Sequence, residues 1–109
     1  MKLTSKEEKV IRSFKEKIKS EFKEAILQVM VFGSKAREDA KENSDIDIIV
    51  FTCLEDWREC DKIREIGYEL DEEIDYRLSI QVLPKSHIDY LLKNNFQFIR
   101  NIENEGVII

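Results

Sequence analysis

An α/β (α+β) chain, built as a small mixed β-sheet flanked by helices, is what the sequence predicts, on three observations. Short apolar runs (AILQVMVF at 25–32, DIDIIVFTC at 45–53 and YRLSIQVLP at 76–84) alternate with stretches whose apolar residues recur at helical spacing. The segments between the runs are long enough to cross over a sheet. The chain of 109 residues is 42% hydrophobic and 38% charged, with only three Gly and one Pro, so it has apolar content for one core and few breakers. A single domain spanning residues 1–109 is expected.

Each element has its own signal. From Thr4 to Lys23, Ile11, Phe14, Ile18 and Phe22 fall on one helical face among lysines and glutamates, and Thr4 or Ser5 suits the N-cap. Ala25 to Phe32 is a run rich in branched residues that ends at Gly33, as a buried strand does. The good helix formers of SKAREDAKEN (34–43) predict a short helix or helical turn before Asn43-Ser44. DIDIIVFTC alternates at its head and is apolar in its body, which predicts a central strand with an exposed start.

A long amphipathic helix follows from Glu55 to about Ile74, carrying Trp57, Ile63, Ile66, Tyr68 and Leu70 and capped by Asp56. Strict alternation of Leu78, Ile80 and Val82 then predicts a strand with one polar face, stopped by Pro84. PKSHIDYLLKNN reads as a helix starting near Pro84 or Ser86, and FQFIRNIENEGVII as another stopped by Gly106, with an apolar end suited to core or edge packing.

Composition also excludes. A net charge of -5 argues against broad nucleic-acid binding, which needs a basic face. No apolar run approaches the roughly 20 residues that span a bilayer, and the N-terminal residues lack a signal-peptide core, so a cytoplasmic protein with no membrane association is expected. Cys53 and Cys60 are then expected to be reduced, partly buried thiols, because zinc would need two further ligands. The lone His87, behind Pro84-Lys85-Ser86, is expected on the surface near a helix start.

The chemistry concentrates between Gly33 and Asp47. Alternation along a strand points Asp45 and Asp47 to one side and Ile46 and Ile48 to the other. Two carboxylates about 5 Å apart in an effective dielectric near 20 repel by roughly 3 kcal/mol, which a divalent cation removes. An all-oxygen ligand set suits Mg²⁺ or Mn²⁺, and Mg²⁺ commonly shares its carboxylates with substrate phosphates. Gly33 lets a phosphate approach the backbone, Ser34 can donate to a phosphate oxygen, and Lys35 and Arg37 add positive charge nearby.

The stretch GSKAREDAKENSDIDIIV resembles the G-S-x-A-R-x-x-A-x-x-x-S-D-I-D-h-h-h signature of the minimal nucleotidyltransferases, within the DNA polymerase beta-like superfamily. The order of predicted elements extends the resemblance over nearly the whole chain. It implies the polymerase beta-like nucleotidyltransferase fold and transfer of a nucleoside monophosphate from ATP or another NTP to a hydroxyl. By matching positions it implies that Gly33, Ser34, Lys35, Arg37 and Ser44 face the nucleotide, and that Asp45 and Asp47 ligate the metal and act in catalysis.

The superfamily supplies a third acidic residue from a later strand. Alignment puts Arg77 or Leu78 near that place; the polar positions on its face are Arg77, Ser79 and Gln81, and Asp75 is the one carboxylate sharing their parity, so Asp75 is the third catalytic candidate. If Arg77 points into the mouth instead, a positive charge stands where a ligand belongs and activity is weak. The resemblance further implies a HEPN-domain partner, for which such proteins act as antitoxins in toxin–antitoxin pairs, sometimes by adenylylating the toxin. An alternative is an inactive nucleotide-site scaffold that neutralises its partner by binding, and a homo-oligomer is left open.

Overall fold

In a computed structural model, the structure describes residues 3–33, 45–70, 72, 78–94 and 96–109. Among these, four strands and four helices run in the order α1 (Ser5–Phe22), β1 (Ile26–Phe32), β2 (Ile46–Thr52), α2 (Trp57–Leu70), β3 (Leu78–Pro84), α3 (Lys85–Lys93), α4 (Gln97–Glu105) and β4 (Val107–Ile108). The helix expected over 34–43 lies outside the described residues.

Helix α1 starts where its sequence says it should. Thr4 accepts a hydrogen bond from the Glu7 backbone N–H at 3.1 Å, and the Thr4 N–H donates to Glu7 Oε1 at 2.8 Å, a reciprocal capping box. Its buried stripe is Val10, Ile11, Phe14 and Ile18. For α2 the capping role of Asp56 holds, since its carboxylate accepts from the Arg58 N–H at 2.9 Å.

The stripe of α2 differs from expectation. Cys60, Ile63, Gly67 and Leu70 face inward, whereas Trp57 is 70% exposed and Tyr68 is exposed too. Helix phase decides this. Spacings of three and four residues join Cys60 to Leu70, and Gly67 lets the helix lie close to the sheet, because a Cβ there would overlap Ile80 Cδ1 and meet Phe14 at 3.3 Å.

The sheet order is β3-β2-β1-β4, with β2 parallel to β3 and β1 antiparallel to both β2 and β4. Mixed pairing was expected, and the last strand is an addition. Beyond Gly106 the apolar C-terminal residues pair with the edge of β1, Val107 beside Val31 and Ile108 beside Met30. The Ile109 N–H donates to the Val29 carbonyl at 3.0 Å, and Lys15 of α1 donates to the Ile109 carbonyl.

Two hydrophobic layers cover the sheet. On one face, α1 and α2 bury Val29, Val31, Ile46, Ile48, Val50, Leu78, Ile80 and Val82. On the other, Met30, Ile49 and Leu83 pack against Leu91 of α3 and Ile99 and Ile102 of α4. Central strand β2 is therefore buried on both sides along its body, which is why it reads as a continuous apolar run. At its far end Thr52, fully buried, donates to the Ala25 carbonyl at 2.7 Å and accepts from the Leu54 N–H at 3.1 Å, tying β2 to the start of β1.

A distant carboxylate completes α3. Its N-cap, Pro84, offers no side-chain acceptor, and Glu55 from the β2–α2 loop takes both the Ser86 N–H (3.3 Å) and the Ser86 hydroxyl (2.7 Å). His87 is exposed near the start of this helix, as expected.

The two cysteines part company. Cys60 is buried, and burial pushes its thiol up, with Arg64 pulling the other way, while Cys53 is exposed rather than partly buried. A thiol reagent at neutral pH is expected to modify one cysteine of the native protein quickly, Cys53, and to reach Cys60 only on unfolding. Peptide mapping of the labelled protein checks this, and equal labelling of both would contradict the packing described for α2.

Candidate functional site

The site is built from the C-terminal end of β1 and the N-terminal ends of β2 and β3, which the sheet register brings into one row. Phe32 of β1 pairs with Asp47 of β2, and Asp47 pairs with Ser79 of β3. Since neighbouring residues across a sheet share a face, these side chains stand on the same side, that of α3 and α4. Further along that face lie Met30, Ile49 and Gln81, then Gln28, Phe51 and Leu83.

The helices cover this face unevenly. Ile49 is fully buried beneath them, whereas Asp47 is half-buried and Ser79 and Gln81 are exposed. Asp45, one residue before β2, continues the alternation onto Asp47's side and is exposed. The expected pair of carboxylates is thus at an open mouth of the sheet, beside rather than under the apolar layer.

Two independent facts mark Gly33 as the glycine beside Asp47. Its φ is +71°, a left-handed conformation that other residues adopt at a cost, and a Cβ built there would overlap Asp47 Oδ2 and lie 3.2 Å from Asp47 Cγ. The glycine therefore both turns the chain out of β1 and leaves the space that the Asp47 carboxylate occupies. That is a cradle for an oxygen, and an oxygen donor set open to solvent fits a hard divalent cation that keeps part of its water and phosphate shell.

Of the residues singled out in the sequence, the structure sets Gly33 against Asp47, with Asp45 two residues earlier in the chain, just before β2. Ser34, Lys35, Arg37, Ser44 and Asp75 lie outside the described residues, as does Arg77. Among the described residues no group of three His, Cys, Asp or Glu side chains stands in metal-binding reach. Leu78, one of the two positions aligned with the family's third acid, is fully buried on the α1 and α2 side, paired with Ile46, so it cannot face the mouth. Ser79 is the residue that stands beside Asp47, and sequence reasoning missed its place because strand parity groups it with Arg77 and Gln81 without fixing the register to β2.

A cavity of about 360 Å³ lies on the same face, lined by Met30, Phe51, Ile88, Leu92, Ile99 and Ile102 with Gln28 and Glu103. Among the described residues its lining carries no cation, which does not suit a polyphosphate.

A mixed sheet that holds paired aspartates next to a glycine turn, open to solvent, is the frame of a phosphate-handling enzyme. Comparison with known proteins gives the class a family. The family pattern described as "Polymerase beta, Nucleotidyltransferase" matches residues 16–109, and the chain belongs to that family: it is a nucleotidyltransferase. It is similar to "Putative protein adenylyltransferase MJ0604" of Methanocaldococcus jannaschii, 31% identical over 103 residues covering 94% of this chain and 97% of that protein. A second protein of that organism, "Putative protein adenylyltransferase MJ0141", is 31% identical over 98 residues, 90% of this chain and 93% of its own length. In three dimensions the chain resembles the crystal structure of a "putative nucleotidyltransferase from Sulfolobus solfataricus", with a TM-score of 0.53 over 98% of this chain and 87% of that one; at 22% identity this likeness supports the fold.

The Gly33 cradle generates a prediction. Gly33→Ala is expected to destabilise the protein by about 1–3 kcal/mol, the range for an L-residue forced into a strained backbone region, although the site is at a surface mouth. Chemical denaturation measures it, and an unchanged midpoint would mean that neither the turn nor the Asp47 contact is held as described.

Proposed function

We propose that this nucleotidyltransferase moves AMP from ATP to a hydroxyl on another protein, with Asp45 and Asp47 holding Mg²⁺. The observation that carries the reading is the placement of Asp47, half-buried against the Gly33 turn with Asp45 beside it at the open end of the sheet. In the reaction, the acceptor oxygen forms a bond to the α-phosphorus, the bond to the pyrophosphate oxygen breaks, and the acceptor proton leaves to solvent or a carboxylate. A divalent cation supplies neutralisation of the triphosphate and a lower pKa for the acceptor hydroxyl.

The chain's own residues do the rest. Asp45 and Asp47 fix where the cation and α-phosphate meet, and Gly33, which has no side chain, lets the phosphates come close to the backbone. In this reading Ser34, Lys35, Arg37 and Ser44 contact the nucleotide and Asp75 is a further acidic candidate. ATP as donor and protein as acceptor are supported by the names of the Methanocaldococcus jannaschii relatives. A HEPN-domain toxin is the proposed acceptor, with this chain as its antitoxin.

The test is incubation of the purified protein with α-labelled ATP, Mg²⁺ and a HEPN-domain protein encoded beside it. Label on the partner is expected, lost by at least a hundredfold in the Asp45→Ala, Asp47→Ala double variant, since both cation ligands are gone. No transfer by the wild type, or equal transfer by the double variant, would sink the catalytic reading.

A second reading, neutralisation of the partner by contact on an inactive scaffold, is favoured by one observation: Ser79, and no carboxylate, stands beside Asp47 on β3. It predicts that the double variant, although unable to transfer label, still neutralises the partner fully.

A further inference from the structure

The proposed function leaves open which side chain of β3 shares the cation with the two aspartates, and the register supplies one. In the parallel pair, Ile46 lies beside Leu78, Asp47 beside Ser79 and Ile48 beside Ile80. Leu78 and Ile80 are buried on the α1 and α2 side, so Ser79 between them points the other way, and it is exposed. Adjacent strands are about 5 Å apart, so a cation in contact with the Asp47 carboxylate is within reach of Ser79.

We infer that Ser79 presents its hydroxyl oxygen to the cation held by Asp45 and Asp47, as a further ligand of the site; this rests on the reading of those aspartates as the cation ligands. A hydroxyl is the right element for a hard cation but carries no charge, so it adds direction and little attraction. The described ligand set then totals two negative charges.

Gln81 is the built-in control. It is exposed on the same face of β3 but pairs with Ile49, about 7 Å further along the strand from the Asp47 row. A carboxylate at residue 79 would reach the cation, and one at residue 81 would only add local charge.

The experiment is titration of the nucleotide-free protein with Mn²⁺, reading free Mn²⁺ by electron paramagnetic resonance, with circular dichroism confirming that each variant is folded. Ser79→Asp is expected to tighten Mn²⁺ binding by about tenfold or more, because ligand charge sets the affinity of oxygen sites. Ser79→Ala is expected to weaken it a few-fold, and Gln81→Asp to change it by less than twofold. Equal tightening by Ser79→Asp and Gln81→Asp, or no change in either Ser79 variant, overturns the inference. Mn²⁺ binding that survives in the Asp45→Ala, Asp47→Ala variant overturns the underlying reading of the aspartates, and so separates the two failures.

Discussion

Burial of β2 on both faces fixes its register, and the candidate site depends on that register. Ile46, Ile48 and Val50 fill the layer under α1 and α2, while Ile49 fills the layer under α3 and α4. A slip of one residue would turn Asp47 into the first layer, under α1 and α2, and bring Ile48 out to the mouth. Taking a carboxylate into such a layer costs several kcal/mol, before the lost apolar burial is counted. The same packing that stabilises the fold therefore aims Asp47 at the open side.

Incomplete cover over the second face makes that aim useful. Helices α3 and α4 lie over Ile49 and Leu83 and leave Ser79 and Gln81 exposed. Helix α3 is held at its start by Glu55, which reaches from the β2–α2 loop to Ser86 and so ties the helix to the strand that carries the aspartates. At the far side of the row, Gly33 turns the chain with a left-handed φ and makes room for the carboxylate of Asp47. One register and one glycine turn thus meet at a small opening lined by carboxylate and hydroxyl oxygens.

Much of this was legible in the sequence because it is local. The Asp45 and Asp47 alternation, the Thr4 cap, the Gly33 break after an apolar run and the strand from Leu78 are each set within a few residues. What escaped is long-range or too short to signal. Ser79 lies beside Asp47 only through pairing between strands some thirty residues apart, and two residues, Val107 and Ile108, carry no strand period of their own. Trp57 was placed on the α2 stripe by its character, but the phase set by Cys60, Ile63, Gly67 and Leu70 leaves it in water. The helix start near Pro84 or Ser86 was local, but the carboxylate that caps it, Glu55, comes from the loop after the neighbouring strand β2.

The central claim is that Asp45 and Asp47 jointly hold the cation on which nucleotide chemistry depends. A crystal structure of the protein with Mn²⁺ and a non-hydrolysable ATP analogue, with the metal located by anomalous scattering, measures it most directly. The account predicts a manganese peak at about 2.0–2.3 Å from a carboxylate oxygen of each aspartate and bridged to the phosphates. A bound nucleotide whose metal touches neither Asp45 nor Asp47 would contradict it.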